Sequence, residues 1–273
     1  MRIGIIGSGS ADPKLPPQLI DLAVSNPGVS VELIQPRLSL FAFTAYERLL
    51  VDVGYVDAMQ AAAVSGCDAV MINSFADYGI EAARAALDIP VIGAGEAALQ
   101  LAQEHGGNFC ILTVWPESMR FLYDERLQRL GLSNRCSAIR HVSSQEELEK
   151  LSKESGVMSR MARHDETIIA VLRAARDQLI EQHAPTAIVL GCTCMTPIGA
   201  ALAEGSAVPI IESSQVGLQQ AIRSSVKSMV SGAAVKSRRT ELIPGLVSAW
   251  LGDTAASAPE MTADCPVCIT HVE

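Results

Sequence analysis

Short runs of β-branched and aliphatic residues alternate along this chain with Ala-rich segments whose apolar positions recur at helical spacing. The runs predict strands over residues 3–6, 29–34, 69–73, 90–93, 109–113, 137–142, 187–191 and 209–211. The segments between them predict helices over 17–25, 44–65, 80–87, 95–105, 119–131, 144–152, 159–183, 196–204 and 214–231. Such alternation specifies an α/β protein with parallel sheets, because parallel neighbours need a crossover long enough to hold a helix.

The eight strands fall into two sets of four, and the sets echo one another. Asp68-Ala69-Val70-Met71-Ile72-Asn73 runs into Ser74, while Thr186-Ala187-Ile188-Val189-Leu190-Gly191 runs into Cys192. Sixteen residues after Ser74 a Pro-started strand begins at Pro90, and seventeen after Cys192 another begins at Pro209. Repetition of strand, polar turn, helix and strand in register predicts two related lobes. The first lobe is expected to span 1–98 plus 212–232 and the second 99–211. From 233 to 273 a short basic run, Lys236 to Arg239, gives way to Ala, Ser, Thr and Pro, so this stretch is expected to be an extension outside the catalytic unit.

A net charge of −9 with no dense basic cluster argues against nucleic acid as a partner. No apolar run reaches membrane-spanning length, and the first residues carry no export signature, so a cytoplasmic protein with no membrane partner is expected. Seven cysteines in such a chain are expected to be reduced thiols rather than a disulfide framework.

Ligands of open parallel sheets bind where strands end, since loops and helix N-termini converge there with unpaired N–H groups. Ser74 and Cys192 fall at those ends, and two lobes facing each other would present both to one small ligand. In Gly191-Cys192-Thr193-Cys194-Met195-Thr196-Pro197, the glycine permits close approach, Thr193 offers a hydroxyl, and a helix start would draw the Cys192 thiol down from about 8.5 towards neutrality. Cys194 is expected to point into the fold. A bland reading, in which Ser74 only caps a helix and Cys192 is a small buried hydrophobe, competes with this one. The Gly7-Ser8-Gly9-Ser10 loop lacks the third glycine of a dinucleotide turn and fits an anion-binding nest instead. Thr113 and Val114, with Trp115 beyond them, occupy the matching place in the second lobe, and Asp77 and Glu96 read as helix-dipole partners on a solvated face. Cys265, Cys268 and His271 supply three metal-type ligands where a closed structural site needs four, so no metal is expected.

Leu190-Gly191-Cys192-Thr193 resembles the second-cysteine motif of the Asp/Glu/hydantoin racemase superfamily. Ser74-Phe75-Ala76-Asp77-Tyr78-Gly79-Ile80 is similar to the hydantoin and allantoin racemase pattern Cys-Phe-x-Asp-Pro-Gly-Leu, with serine where those enzymes carry their first cysteine. The resemblance extends over about 1–230 and implies two pseudo-symmetric Rossmann-like lobes with the active site in the cleft between them. It further implies a racemase or epimerase that needs no cofactor, forms a homo-oligomer and moves a proton at a carbon next to a carbonyl. Cys192 would be one acid/base and position 74 the other, with Ser8, Gly9, Ser10, Phe75, Ala76, Thr113, Val114 and Thr193 around a small anionic or cyclic-amide substrate. The serine leaves two alternatives open: a replaced cysteine, or an enzyme that works with one cysteine, as arylmalonate decarboxylases do. A lyase, cis-trans isomerase or hydrolase using Cys192 alone therefore stands beside the racemase reading, and a two-lobed binding module is the non-enzymatic alternative.

Overall fold

The computed structural model describes residues 1–7, 14–38, 40–150, 153–226 and 236–254. Among the described residues eight strands form: β1 (Arg2–Ile6), β2 (Ser30–Ile34), β3 (Ala69–Ile72), β4 (Val91–Gly93), β5 (Phe109–Thr113), β6 (Cys136–His141), β7 (Ala187–Leu190) and β8 (Ile210–Glu212). They build two separate four-stranded parallel sheets of identical order, β2-β1-β3-β4 and β6-β5-β7-β8. The central strands β3, β5 and β7 are buried along their whole length, which is why they read as unbroken apolar runs.

Helices cover both faces of each sheet: α1 (Pro17–Val24), α2 (Ala45–Val64), α3 (Ile80–Ala86) and α4 (Ala94–Glu104) in the first lobe, then α5 (Phe121–Arg129), α6 (Val157–Ala162), α7 (Glu166–His183) and α8 (Gly199–Ala203) in the second. Helix α9 (Ser213–Val226) follows β8 and returns to pack on α4. Its Leu218 and Ala221 join Ile3, Ile5, Met71 and Ile92 in one face of the first core. Helix α4 serves both lobes, since Ala94 and Ala97 belong to that first core while Ala98, Leu99 and Ala102 belong to the second. A last helix, α10 (Leu242–Thr254), lies on α2, where Gln60 Nε2 donates to Thr240 O at 2.6 Å and Arg37 reaches both Asp57 and Ser248.

Three predicted helices are corrected by the structure. The segment expected to be one helix over 159–183 breaks into α6 and α7 at His164, whose φ is +55°, and Asp165 then caps α7 by accepting from Thr167 N and Ile168 N. The described part of the stretch 144–152 holds a 3-10 turn, Gln145–Lys150, in place of an α-helix. The helix expected from 196 is preceded by a 3-10 turn, Thr193–Ile198, because Thr196 turns its hydroxyl back onto Thr193 O at 2.7 Å instead of opening an α-helix.

Candidate active site

In both sheets the chain leaves the first central strand for one edge and returns to the other side, so the switch points lie between β1 and β3 and between β5 and β7. The residues just past three of these strands, Gly7, Asn73, Ser74, Gly191 and Cys192, line one open cleft between the lobes. Gly191 admits no side chain there, since a Cβ would sit 2.7 Å from Ile111 and 2.9 Å from Tyr123. Phe75, Ala76 and Thr193 line the same cleft, so with Ser74 and Cys192 five of the expected catalytic and substrate-contacting residues meet around one space.

Aromatic and apolar side chains complete the wall: Phe41, Tyr55, Tyr78, Trp115, Met119, Tyr123 and Met158. Phe41 and Trp115 stack edge to face at 5.1 Å across the lobes, and Phe75 lies 5.4 Å from Tyr123. Among the described lining residues there is no Lys, Arg, Asp or Glu. Only Trp115 of this wall stood out in the sequence; the others come from loops and helices remote from the strand ends.

Thr113 and Val114 are corrected. Both are fully buried behind the cleft rather than in it. The Thr113 hydroxyl pairs with Tyr123 OH at 2.6 Å and accepts from Trp115 N, so it positions two residues that do face the cleft. Tyr123 OH also donates to Gly191 O at 3.0 Å, which fixes the turn carrying Cys192. Ser8, Gly9 and Ser10 lie outside the described residues, as do Cys265, Cys268 and His271.

The expectation of reduced cysteines is corrected at one place. Cys192 and Cys194 form a disulfide, with Cα atoms 5.2 Å apart, so Cys194 shares the cleft instead of pointing into the fold. Cys192 caps the 3-10 turn, and its Sγ accepts from Cys194 N at 3.1 Å. Reduction would leave that amide aimed at the sulfur, where it favours the thiolate. Cys67, Cys110 and Cys136 are free, and burial pushes their thiols up to about 11, 11 and 12.

Ser74 is half-buried, and its hydroxyl accepts from Ala76 N at 3.3 Å, so it caps the turn that follows β3. Asp77 ends that turn with φ of +48° and accepts from Gly95 N and Glu96 N at the start of α4. It is a dipole partner as expected, but a fully buried one, which corrects the solvated placement. Burial raises its carboxyl to about 7, against the pull of Arg126 at 3.6 Å and of the two amides. Arg126 is itself buried and also meets Glu81 at 3.1 Å, so charges from both lobes meet beneath the turn.

Residues 28–221 match the family model described as Asp/Glu/Hydantoin racemase. The chain belongs to this family. A hydantoin racemase of Pseudomonas sp. (strain NS671) is 27% identical over 174 residues, 64% of this chain and 65% of that protein, so the match spans somewhat under two thirds of the relative's length. Allantoin racemase from Pseudomonas fluorescens shares the fold, with a TM-score of 0.71 at 18% identity over 87% of this chain and 97% of that one. Arylmalonate decarboxylase shares it at a TM-score of 0.54 and 20% identity, over 85% of this chain and 94% of that one.

Proposed function

We propose that this racemase-family chain inverts a carbon next to a carbonyl in a neutral cyclic amide of the hydantoin kind, by proton transfer between side chains. The observation that carries the reading is the meeting of Ser74 and Cys192, from the ends of β3 and β7, in one cleft between the lobes. Among the described lining residues there is no charged side chain, and such a wall favours a neutral ring over a free amino-acid zwitterion or a dicarboxylate, whose charges would be left uncompensated. Phe41, Trp115 and Met158 offer an apolar seat for a hydrocarbon substituent on the reacting carbon.

In the reduced protein the Cys192 thiolate takes the proton, the bonding pair moves onto the carbonyl oxygen, and an enolate forms. Return of a proton from the Ser74 side, with Ser74 drawing one from solvent and Cys192 giving one up, yields the inverted centre and restores both groups. A serine hydroxyl is a far weaker acid than a thiol, so that face limits the rate. The identity of residue 74 also supports a second reading, in which Cys192 works alone as the proton donor of a lyase.

The test incubates single enantiomers of 5-benzylhydantoin with the full chain, dithiothreitol and deuterated water. Loss of optical rotation with deuterium gained at the reacting carbon is the expected result. Release of carbon dioxide from a phenylmalonate without any exchange into the hydantoin selects the one-cysteine lyase, and inertness towards both compounds sinks the enzymatic reading.

A further inference from the structure

Asn73 is the residue immediately before Ser74, and the reading of the sequence gave it no role beyond closing a strand. It is 2% exposed and lines the cleft. Three of its four polar groups are satisfied by the protein. Its N–H donates to Ile6 O at 3.0 Å, its carbonyl accepts from the Thr193 hydroxyl at 3.0 Å, and its side-chain Oδ1 accepts from the Ser214 hydroxyl at 2.7 Å. The fourth, the Nδ2 amino group, is buried with no partner. An unmet buried donor is destabilising, and an alanine at this place would avoid it.

The amide is also held from behind. Glu212 accepts from Ser214 N at 3.0 Å and from Gln215 N at 2.9 Å, and the Thr196 hydroxyl lies 2.7 Å from Glu212 Oε1 and 3.1 Å from Ser214 Oγ. This chain of polar groups runs from the start of α9 to Asn73 Oδ1 and holds the carboxamide by its oxygen, so turning Nδ2 away would give up the Ser214 bond. Gln35, at the end of β2 and also lining the cleft, likewise carries a buried amino group without a partner.

We propose that Asn73 Nδ2 donates to the carbonyl oxygen beside the reacting carbon and holds it as its charge grows towards the enolate. The inference rests on the racemase reading for the reaction, but the contact itself concerns only a ligand carbonyl. A preorganised donor in a site walled by apolar side chains costs no reorganisation as charge develops, and loss of one such donor lowers kcat by about 100-fold in related chemistry. Ser214 is then a positioning residue, since it acts only through Asn73.

The experiment titrates reduced full-length protein with 5-benzylhydantoin, with its analogue carrying sulfur in place of the oxygen next to the substituted carbon, and with the N-methyl derivatives, all by calorimetry. The wild type is expected to prefer the oxygen compound over the thione by about tenfold, the size of one hydrogen bond. Asn73→Ala and the near-isosteric Asn73→Asp should shrink that preference to within about twofold, and Ser214→Ala should shrink it partway in a protein that melts lower but is folded at the assay temperature. Solvent deuterium exchange run alongside should show a fall in kcat for both Asn73 variants that exceeds any change in KM.

An oxygen preference that survives in either soluble Asn73 variant overturns the proposal, as does a wild type that binds both compounds equally. Sensitivity to N-methylation that vanishes with Asn73, with none to the thione, overturns it too, because Asn73 would then be accepting rather than donating. If neither Asn73 variant folds, an unchanged preference in Ser214→Ala overturns it. Normal discrimination without exchange refutes the racemase reading and leaves the Asn73 contact standing, whereas failure of the wild type to bind any of the probes refutes both.

Discussion

The two lobes share one strand order and one crossover pattern, yet they are built differently at the point where they meet. The second lobe presents sulfur on a tight turn, Gly191-Cys192-Thr193, held by Tyr123 from its own α5. The first presents a carboxamide and a hydroxyl, Asn73-Ser74, on a turn held in part by its neighbour. Phe75 and Ala76 belong to the second lobe's apolar core, Thr193 bonds to Asn73, and Arg126 of α5 underlies Asp77. The frame repeats, and the two strand-end turns differ in what each lobe lends to the other.

The strongest way to break this comparison is to remove the sulfur. Cys192→Ala should lower turnover of 5-benzylhydantoin about 1,000-fold in a polarimetric assay, the scale of losing a positioned acid/base, while circular dichroism stays unchanged. If the activity survives, the second lobe is not the reactive side.

Oxidation is the next largest effect. A disulfide sulfur carries no exchangeable proton, so protein treated with diamide should lose at least about tenfold of its activity and recover it with dithiothreitol. Cys194→Ser should be active and indifferent to both reagents. Equal sensitivity in that variant would place the oxidised partner elsewhere.

Replacing the first lobe's hydroxyl sharpens the comparison in the opposite direction. Ser74→Cys makes the two strand ends alike and should raise turnover about tenfold or more if two-base inversion limits the rate, since a thiol matches the working pH far better than a hydroxyl does. An unchanged rate would favour chemistry from Cys192 alone.

The smallest effect concerns the buried base of the first lobe's turn. Because burial holds Asp77 protonated up to about 7, the unfolded chain releases that proton first as pH rises, and stability should fall between about pH 4 and 7 and level off above. Thermal melts of Asp77→Asn across that range should show a slope shallower by about 4 kcal/mol in total, with Arg126 now lacking its 3.6 Å partner at every pH. A slope identical to wild type would mean that another carboxyl carries the trend, with Glu212, also raised by burial, the first to test.

The sheets could be read in the sequence because buried parallel strands leave unbroken apolar runs, and the pairing of Ser74 with Cys192 could be read because the spacing to Pro90 and Pro209 repeats. The break at His164 was foreshadowed by Asp165, a capping residue directly before Glu166 and Thr167. Thr113 and Val114 misled because a position at a strand end fixes the backbone but not the direction of the side chain. Thr113 turned inward to Tyr123, and the turn at Thr193 stayed 3-10. Asn73 was illegible for a different reason: its unmet amino group exists only relative to Ser214 and Glu212, about 140 residues away along the chain.

Helix α4 belongs to both cores at once, with Ala97 packed on one side of the boundary and Ala98 on the other. A shared splint of this kind couples the packing of one lobe to that of the other at two adjacent alanines. Under the proposed mechanism, mass added at either would move Ser74 relative to Cys192 without touching them, so the distance for proton transfer would answer to packing some way from the chemistry.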